Sequence, residues 1–474
     1  MNHVYLRYSL LSFLMAMVSA FALSSCIEDD ITHSPSHQPV FSVDTLKMGT
    51  VFTEEGTRTF SFKVYNRHDK VLSISSVAFK DGGCGIFRLN VDGQSGTSFN
   101  NVEIRPGDSI FVFVAATLPS NVSARPVKVE DNVMFVTNGV TSEVVLSAYG
   151  QDVKRYYGLV VDESQQWDAD YPVQVFDSLV VAEGVTLTLA AGSHLYFHDG
   201  ASLKVDGTLV SEGTAEAPVM MEGDRQGNVI TGVSFDLMSR QWEGVLFRAA
   251  SRDNRMTHTT VRNTWRGVSL DSLQSDYPSL MLVNCTLRNA ACHVLDAYHS
   301  SVRAVGCEFA ESGSGAVRLH GAKHDFNHCT FSNYYLFSAI TGPLVALSHV
   351  DDETDDGSGL PRLEAEFTNS VLYGSSADLS PKVLDDTQVY FRRCLIRSSG
   401  DDDDHFTDIL WNTDPMFYTD RGSYLFDYRL RPMSPVIGEA YSGYDSELHT
   451  LSPVDNYGTL RPSPASIGAY EPVP

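Results

Sequence analysis

The chain has 474 residues, 43% of them hydrophobic, enough for two or three domains with sizeable cores. Its 34 Lys and Arg face 59 Asp and Glu, a formal net charge of -25. That balance favours solubility and argues against nucleic acid, whose phosphates need Lys and Arg to displace counterions. It also repels polyanions unless a basic groove offsets it.

Residues 1–25 read as a targeting segment. Arg7 precedes the apolar run LLSFLMAMVSAFAL (10–23), which is short for a membrane span and the length of a signal-peptide core. LSSC (23–26) resembles the lipobox of bacterial lipoproteins. The resemblance implies cleavage before Cys26, lipidation of Cys26 and a membrane anchor made stable by more than one acyl chain. The acidic IEDD that follows resembles a surface-export signal of lipoproteins in some Gram-negative anaerobes. The expected location is therefore the outer membrane facing outward, with a periplasm-facing anchor as the alternative. Residues 26–39, polar and Pro-containing, read as a tether.

From residue 40 to 153 the pattern alternates. TFSFKVYN (59–66), SIFVFVAA (109–116), NVMFVTN (132–138) and SEVVLSAYG (142–150) are short strands separated by DGG, RPGD and TNG turns, which predicts a β-sandwich. The order of these motifs resembles the immunoglobulin-like domains of bacterial surface proteins. Such domains act as spacers or docking modules, and no catalytic group suggests itself here.

From about residue 158 to the end the texture is repetitive. Leu187 and Leu189 recur sixteen residues on as Leu203 and Val205. NCTLRN (284–289), GCEFAE (306–311) and HCTFSN (328–333) place Cys285, Cys307 and Cys329 22 residues apart. In one register the cysteine slot reads Thr259, Cys285, Cys307, Cys329, Ser370, Cys394, with row spacings of 26, 22, 22, 41 and 24. Two positions on, the column reads Val261, Leu287, Phe309, Phe331, Leu372, Ile396. Side chains alternate across a strand, so both columns face one core. A repeat of this length with such short strands predicts a right-handed parallel β-helix, about twelve coils stacked at roughly 4.8 Å. The spacing of 41 reads as one coil plus an insertion over residues 348–362. Free buried thiols are favoured over disulfides, because parallel in-register side chains point the same way and oppose the disulfide dihedral.

WEGVLF (242–247), the cysteine motifs and a tail carrying DPMF, YRLRPMSPVIG and IGAYE resemble right-handed parallel β-helix proteins of the pectate-lyase superfamily type and their surface-anchored relatives. The resemblance implies a C-terminal cap and asparagine turn ladders at Asn263, Asn289 and Asn333. The fold class is thus all-β, a sandwich followed by a solenoid. Activity does not follow from fold.

No catalytic set emerges. β-Helix hydrolases need two or three carboxylates on one groove, and the outward column Thr260, Thr286, Glu308, Thr330 holds one. The run of four aspartates at 401–404 reads as a solvated turn. Asp351, Asp352, Asp355 and Asp356 form an oxygen-rich stretch able to hold Ca²⁺, although the EF-hand spacing is missed. His320, His324 and His328, four apart on an extended segment, are too far apart for one ion and read as outward polar positions. Tyr334, Tyr335 and Trp265 are the candidate ligand-binding residues, as aromatic platforms for sugars. Four tripeptides, DTL (44–46), DSI (108–110) and DSL (177–179, 271–273), resemble O-glycosylation sites of Gram-negative anaerobes. The expected function is non-catalytic: a surface-anchored module for polysaccharide binding or adhesion. A polysaccharide lyase or glycoside hydrolase is the alternative, and a structural stalk or envelope-assembly component the third.

Overall fold

The computed structural model describes residues 30–230, 232–273, 275–348 and 362–472. The chain divides after Gln151 into two compact units. The boundary falls just before the expected one, because Lys154–Val161 pairs in parallel with Val173–Val181 and so belongs to the second unit.

The first unit has two five-stranded sheets sharing one core, in which Phe62, Val64 and Val112 of one sheet meet Ile74, Phe135 and Leu146 of the other. Its first long strand, Thr45–Phe52, pairs in parallel with its last, Val140–Gln151. The described part of the expected tether is attached to this unit. Ile31 bridges to Val71, and the Asn138 side chain donates to the carbonyls of Ser34 at 3.0 Å and His37 at 3.1 Å. A polar, Pro-containing segment satisfies its carbonyls by docking as readily as by solvation.

The second unit is a parallel β-helix. Each coil contributes one strand to each of three ladders, here A, B and C in chain order. One coil runs Val268–Asp271 in A, Leu280–Val283 in B and Thr286–Ala290 in C, then returns to A as His293–Tyr298. Ladder B is a ten-stranded sheet; ladders A and C share the long strand Val173–Val181 and form one eighteen-stranded sheet. Among the described residues the coils are fewer than twelve, because no strand follows Leu410–Trp411 in the ladders. Thr330 pairs directly with Val371, so the 41-residue spacing is one coil plus insertions. The sixteen-residue echo joins different ladders; Leu187 stacks on Leu209, 22 residues on.

The cysteine column is as expected: Cys285, Cys307, Cys329 and Cys394 are all 0% exposed and all free thiols. Beside it Phe326, Phe367, Phe391 and Phe406 stack at 5.0, 4.6 and 5.1 Å between ring centres, nearly parallel.

The turn ladders differ from expectation. Asn263, Asn289 and Asn333 do not stack amide on amide. Asn263 and Asn289 donate to the carbonyl of Asp236, at 2.8 and 2.6 Å, and Asn333 donates to that of Ser312 at 2.8 Å. A side-chain stack lies instead at the B-to-C corner, one residue before the cysteine slot. There His258, Asn284, Gly306, His328 and Asn369 all have positive φ. Asn284 bonds His258 at 3.1 Å, and Asn369 bonds His328 at 3.1 Å.

The C-terminal segment is not an end cap. It runs along the outer side of ladder C, with a small core of its own around Val371, Leu395, Tyr428, Val436 and Ile467. Tyr470 donates to Glu308 at 2.6 Å, Tyr428 donates to Glu311, and Ala469 donates through its N–H to Thr330 at 3.0 Å. Glu308 and Thr330, expected outward, do face outward but are buried beneath this strap.

Candidate functional site

The outer side of ladder A carries a groove of about 610 Å³. Register builds its floor. Lys204, Leu246, Ser269, Asp296 and Arg318 stack in one outward column. Asp271, Tyr298 and His320 stack in the next. Trp265 and Arg266 enter from the connection between ladders C and A, and His293 opens the ladder A strand His293–Tyr298.

The groove gathers positive charge in a chain of net charge -25: Lys204, Arg248, Arg266 and Arg318 line it, against Asp271 and Asp296. Arg318 grips Asp296 in bidentate fashion at 2.8 and 2.5 Å, which uses only part of its donor set. Arg266 lies 3.4 Å from Glu243, and Arg248 pairs with Asp206. Trp265 is 44% exposed, with the Arg240 guanidinium 4.9 Å from its ring centre. Tyr298, equally exposed, stacks on His320 at 4.8 Å. Burial drives His293 down to about 4, so it is neutral at pH 7. Asp271 and Asp296 stand on adjacent rungs two positions apart, a diagonal of about 7–8 Å between backbones. Asp296 is committed to Arg318.

Of the three expected ligand residues, Trp265 alone lines this groove. Tyr334 lines a separate depression of about 470 Å³ with Tyr373, Asp414 and Arg421. Tyr335 is buried at 5% exposure and donates its hydroxyl to Ser239 at 2.8 Å, a structural tyrosine. Cys26, Asp351, Asp352, Asp355 and Asp356 lie outside the described residues. Among the described residues no group of three or more His, Cys, Asp or Glu is placed to hold a metal ion.

The histidines correct the sequence reading. His320 faces outward on ladder A, but His324 is buried on ladder B and bonds the carbonyl of Gly321 at 2.8 Å. His328 is buried at the corner and bonds the carbonyl of Ser466 at 2.9 Å. Burial drives these two down to about 4 and about 3.

Asp296, Arg318, Tyr298 and His293 were missed by sequence reasoning. The signal was present: VSLD (268–271), VLDAY (294–298) and AVRLH (316–320) keep the period of the cysteine motifs, and their polar positions form the groove floor.

No protein-family model matches the chain, and no curated protein matches it. Solved structures that overlap it in part include a protein of unknown function from Porphyromonas gingivalis (13% identity, 27% of this chain and 50% of that one, TM-score 0.19). Others are the VesB protease of Vibrio cholerae (15%, 24% and 32%, 0.18) and a family 123 glycoside hydrolase from Clostridium perfringens (6%, 24% and 26%, 0.17). The chain spans half or less of each of these, and likeness at this level carries no argument about chemistry.

Proposed function

We propose that the chain is a surface lipoprotein, anchored through Cys26, whose β-helix binds an acidic polysaccharide in the ladder A groove without cleaving it. The first unit, in this reading an immunoglobulin-like domain, serves as spacer. One observation carries the reading. Four cations and two exposed aromatics converge on one open groove of an otherwise strongly acidic chain. Cations meet uronate carboxylates, and the exposed rings offer faces for sugar stacking. Of the two carboxylates in the groove, Asp296 is held in an ion pair with Arg318.

Affinity electrophoresis through gels cast with polygalacturonate, alginate or neutral glucan tests it. Retardation is expected in an acidic gel alone, and Trp265→Ala abolishes it; equal mobility in all gels refutes the reading. Cys26→Ser is expected to release the protein from the membrane fraction.

A second reading, a lyase, rests on neutral His293 beside Arg318, a base next to a carboxylate-binding cation. Release of unsaturated product, lost in His293→Ala, distinguishes it from binding alone.

A further inference from the structure

A second cavity, of about 350 Å³, lies on a different face, between the outer side of ladder C and the C-terminal strap. No residue lines both this cavity and the ladder A groove. Register sets its floor. Arg262 pairs in the ladder with Arg288, so two guanidinium side chains leave neighbouring rungs about 4.8 Å apart at the backbone. Like charges placed this way repel.

Each arginine has its own carboxylate partners. Arg262 pairs with Glu222, on the rung before it, and lies 3.4 Å from Asp236. Arg288 lies 3.0 Å from Glu308, on the rung after it, and donates to the carbonyl of Phe426 at 3.0 Å. No carboxylate from a rung between them is available, because they are adjacent. Both arginine side chains keep 22% of their surface exposed, and both line the cavity.

The wall also carries Glu308, which is engaged by Arg288 and by the Tyr470 hydroxyl, and the polar side chains of His258, Asn284 and Asn456. Thr260, Thr286 and Tyr457 bring hydroxyls; Ala215, Pro218 and Met220 form an apolar strip. The volume lies at the low end for small-molecule sites. A pyranose has hydroxyl edges and an apolar face, and a carboxylate suits the planar fork of a guanidinium.

We infer that this cavity binds a sugar acid, with its carboxylate between Arg262 and Arg288 and its ring against the strip at Ala215 and Met220. The ligand class is a single hexuronate or the terminal uronate of a chain. Inorganic sulfate shares the anion chemistry but not the ring contacts.

Calorimetric titration of the purified full-length chain with glucuronate, glucose and sulfate tests it. Saturable glucuronate binding with Kd in the range of about 1 mM or tighter is expected, with sulfate weaker by about tenfold or more and no glucose binding. Arg262→Gln is expected to weaken glucuronate by about tenfold or more. Because that change also strips a partner from Glu222, a second variant, Ala215→Trp, adds an indole to the cavity wall and replaces no ion-paired residue. It is expected to abolish binding with the melting temperature unchanged. Trp265→Ala, in the other groove, is expected to leave this binding intact. Absence of glucuronate binding overturns the assignment. So does sulfate or glucose binding as tight as glucuronate, or indifference to Ala215→Trp.

Discussion

The backbone N–H of Cys285 donates to the Sγ of Cys307 on the next coil at 3.3 Å, and the N–H of Cys329 donates in the same way to the hydroxyl of Ser370 at 3.1 Å. Ser370 also donates to the carbonyl two residues before it at 2.8 Å, as Cys307 does at 3.4 Å. The slot thus demands a small side chain able to accept from one coil and donate within its own. Cys307→Ser is expected to cost less than about 1 kcal/mol, because Val305 and Cys285 already supply both partners. Cys307→Leu overfills the column and is expected to cost about 1–3 kcal/mol. Urea unfolding compares the two; equal losses contradict the account.

Thiol accessibility gives an independent check. Cys292 is half-buried and lines the ladder A groove, whereas Cys285, Cys307, Cys329 and Cys394 are sealed. Maleimide labelling read by peptide mass spectrometry is expected to modify Cys292 in the folded protein and those four after denaturation alone. A polysaccharide seated in the groove is expected to slow labelling of Cys292.

The second unit buries ionisable groups whose signs oppose. Burial lifts Glu311 to about 7, outweighing the hydroxyl of Tyr428, the N–H of Tyr334 and the charge of Arg288 beside it. A carboxyl raised in the folded state favours folding when protonated, so its contribution is full below about 4.5 and is lost as pH rises to about 7. His324 and His328 are lowered, so their contribution is full above about 6.5 and is lost as pH falls. Glu311→Gln removes the first effect and keeps the second. Relative to wild type, this variant is expected to gain about 2.5 kcal/mol between pH 5 and pH 8. Unfolding curves at the two pH values read the difference; a constant offset contradicts it.

Arg461 and Glu471 are fully buried and 3.5 Å apart, with Arg461 also donating to the carbonyl of Ala469 at 2.7 Å. Glu471→Gln removes a charge paired with this buried guanidinium, leaving Asp455 nearby, and is expected to cost about 3 kcal/mol. The loss is local to the strap. Limited proteolysis is expected to cut within residues 412–472 before it reaches the coils.

The interior of the solenoid was legible in the sequence because stacking repeats a chemical demand at a fixed interval. The cysteine slot and the Val261-to-Ile396 column each face one environment, so each keeps one character. What decorates the outside obeys no such rule. Thr260 and Val371 share an outward column, yet one lines a cavity and the other sits under the strap. Apolar Val371 and Leu395 in that column were the hint of a covering. The corner at His258, Asn284 and His328 was hidden by mixed chemistry. Its common factor is backbone: Asn, Asp and His tolerate positive φ better than most residues. The groove lay one ladder away from the motif that set the register, where no cysteine marks the period.

Solenoids usually assemble by nearest-neighbour steps, each coil templating the next as it emerges. The strap breaks that locality here. Asn284 bonds the carbonyl of Val454, and Glu308 receives Tyr470, partners 170 and 162 residues downstream. Until the last residues are made, the middle rungs expose carboxylates and apolar side chains meant for an interior. These strap contacts are ones of high sequence separation, the kind that forms slowly.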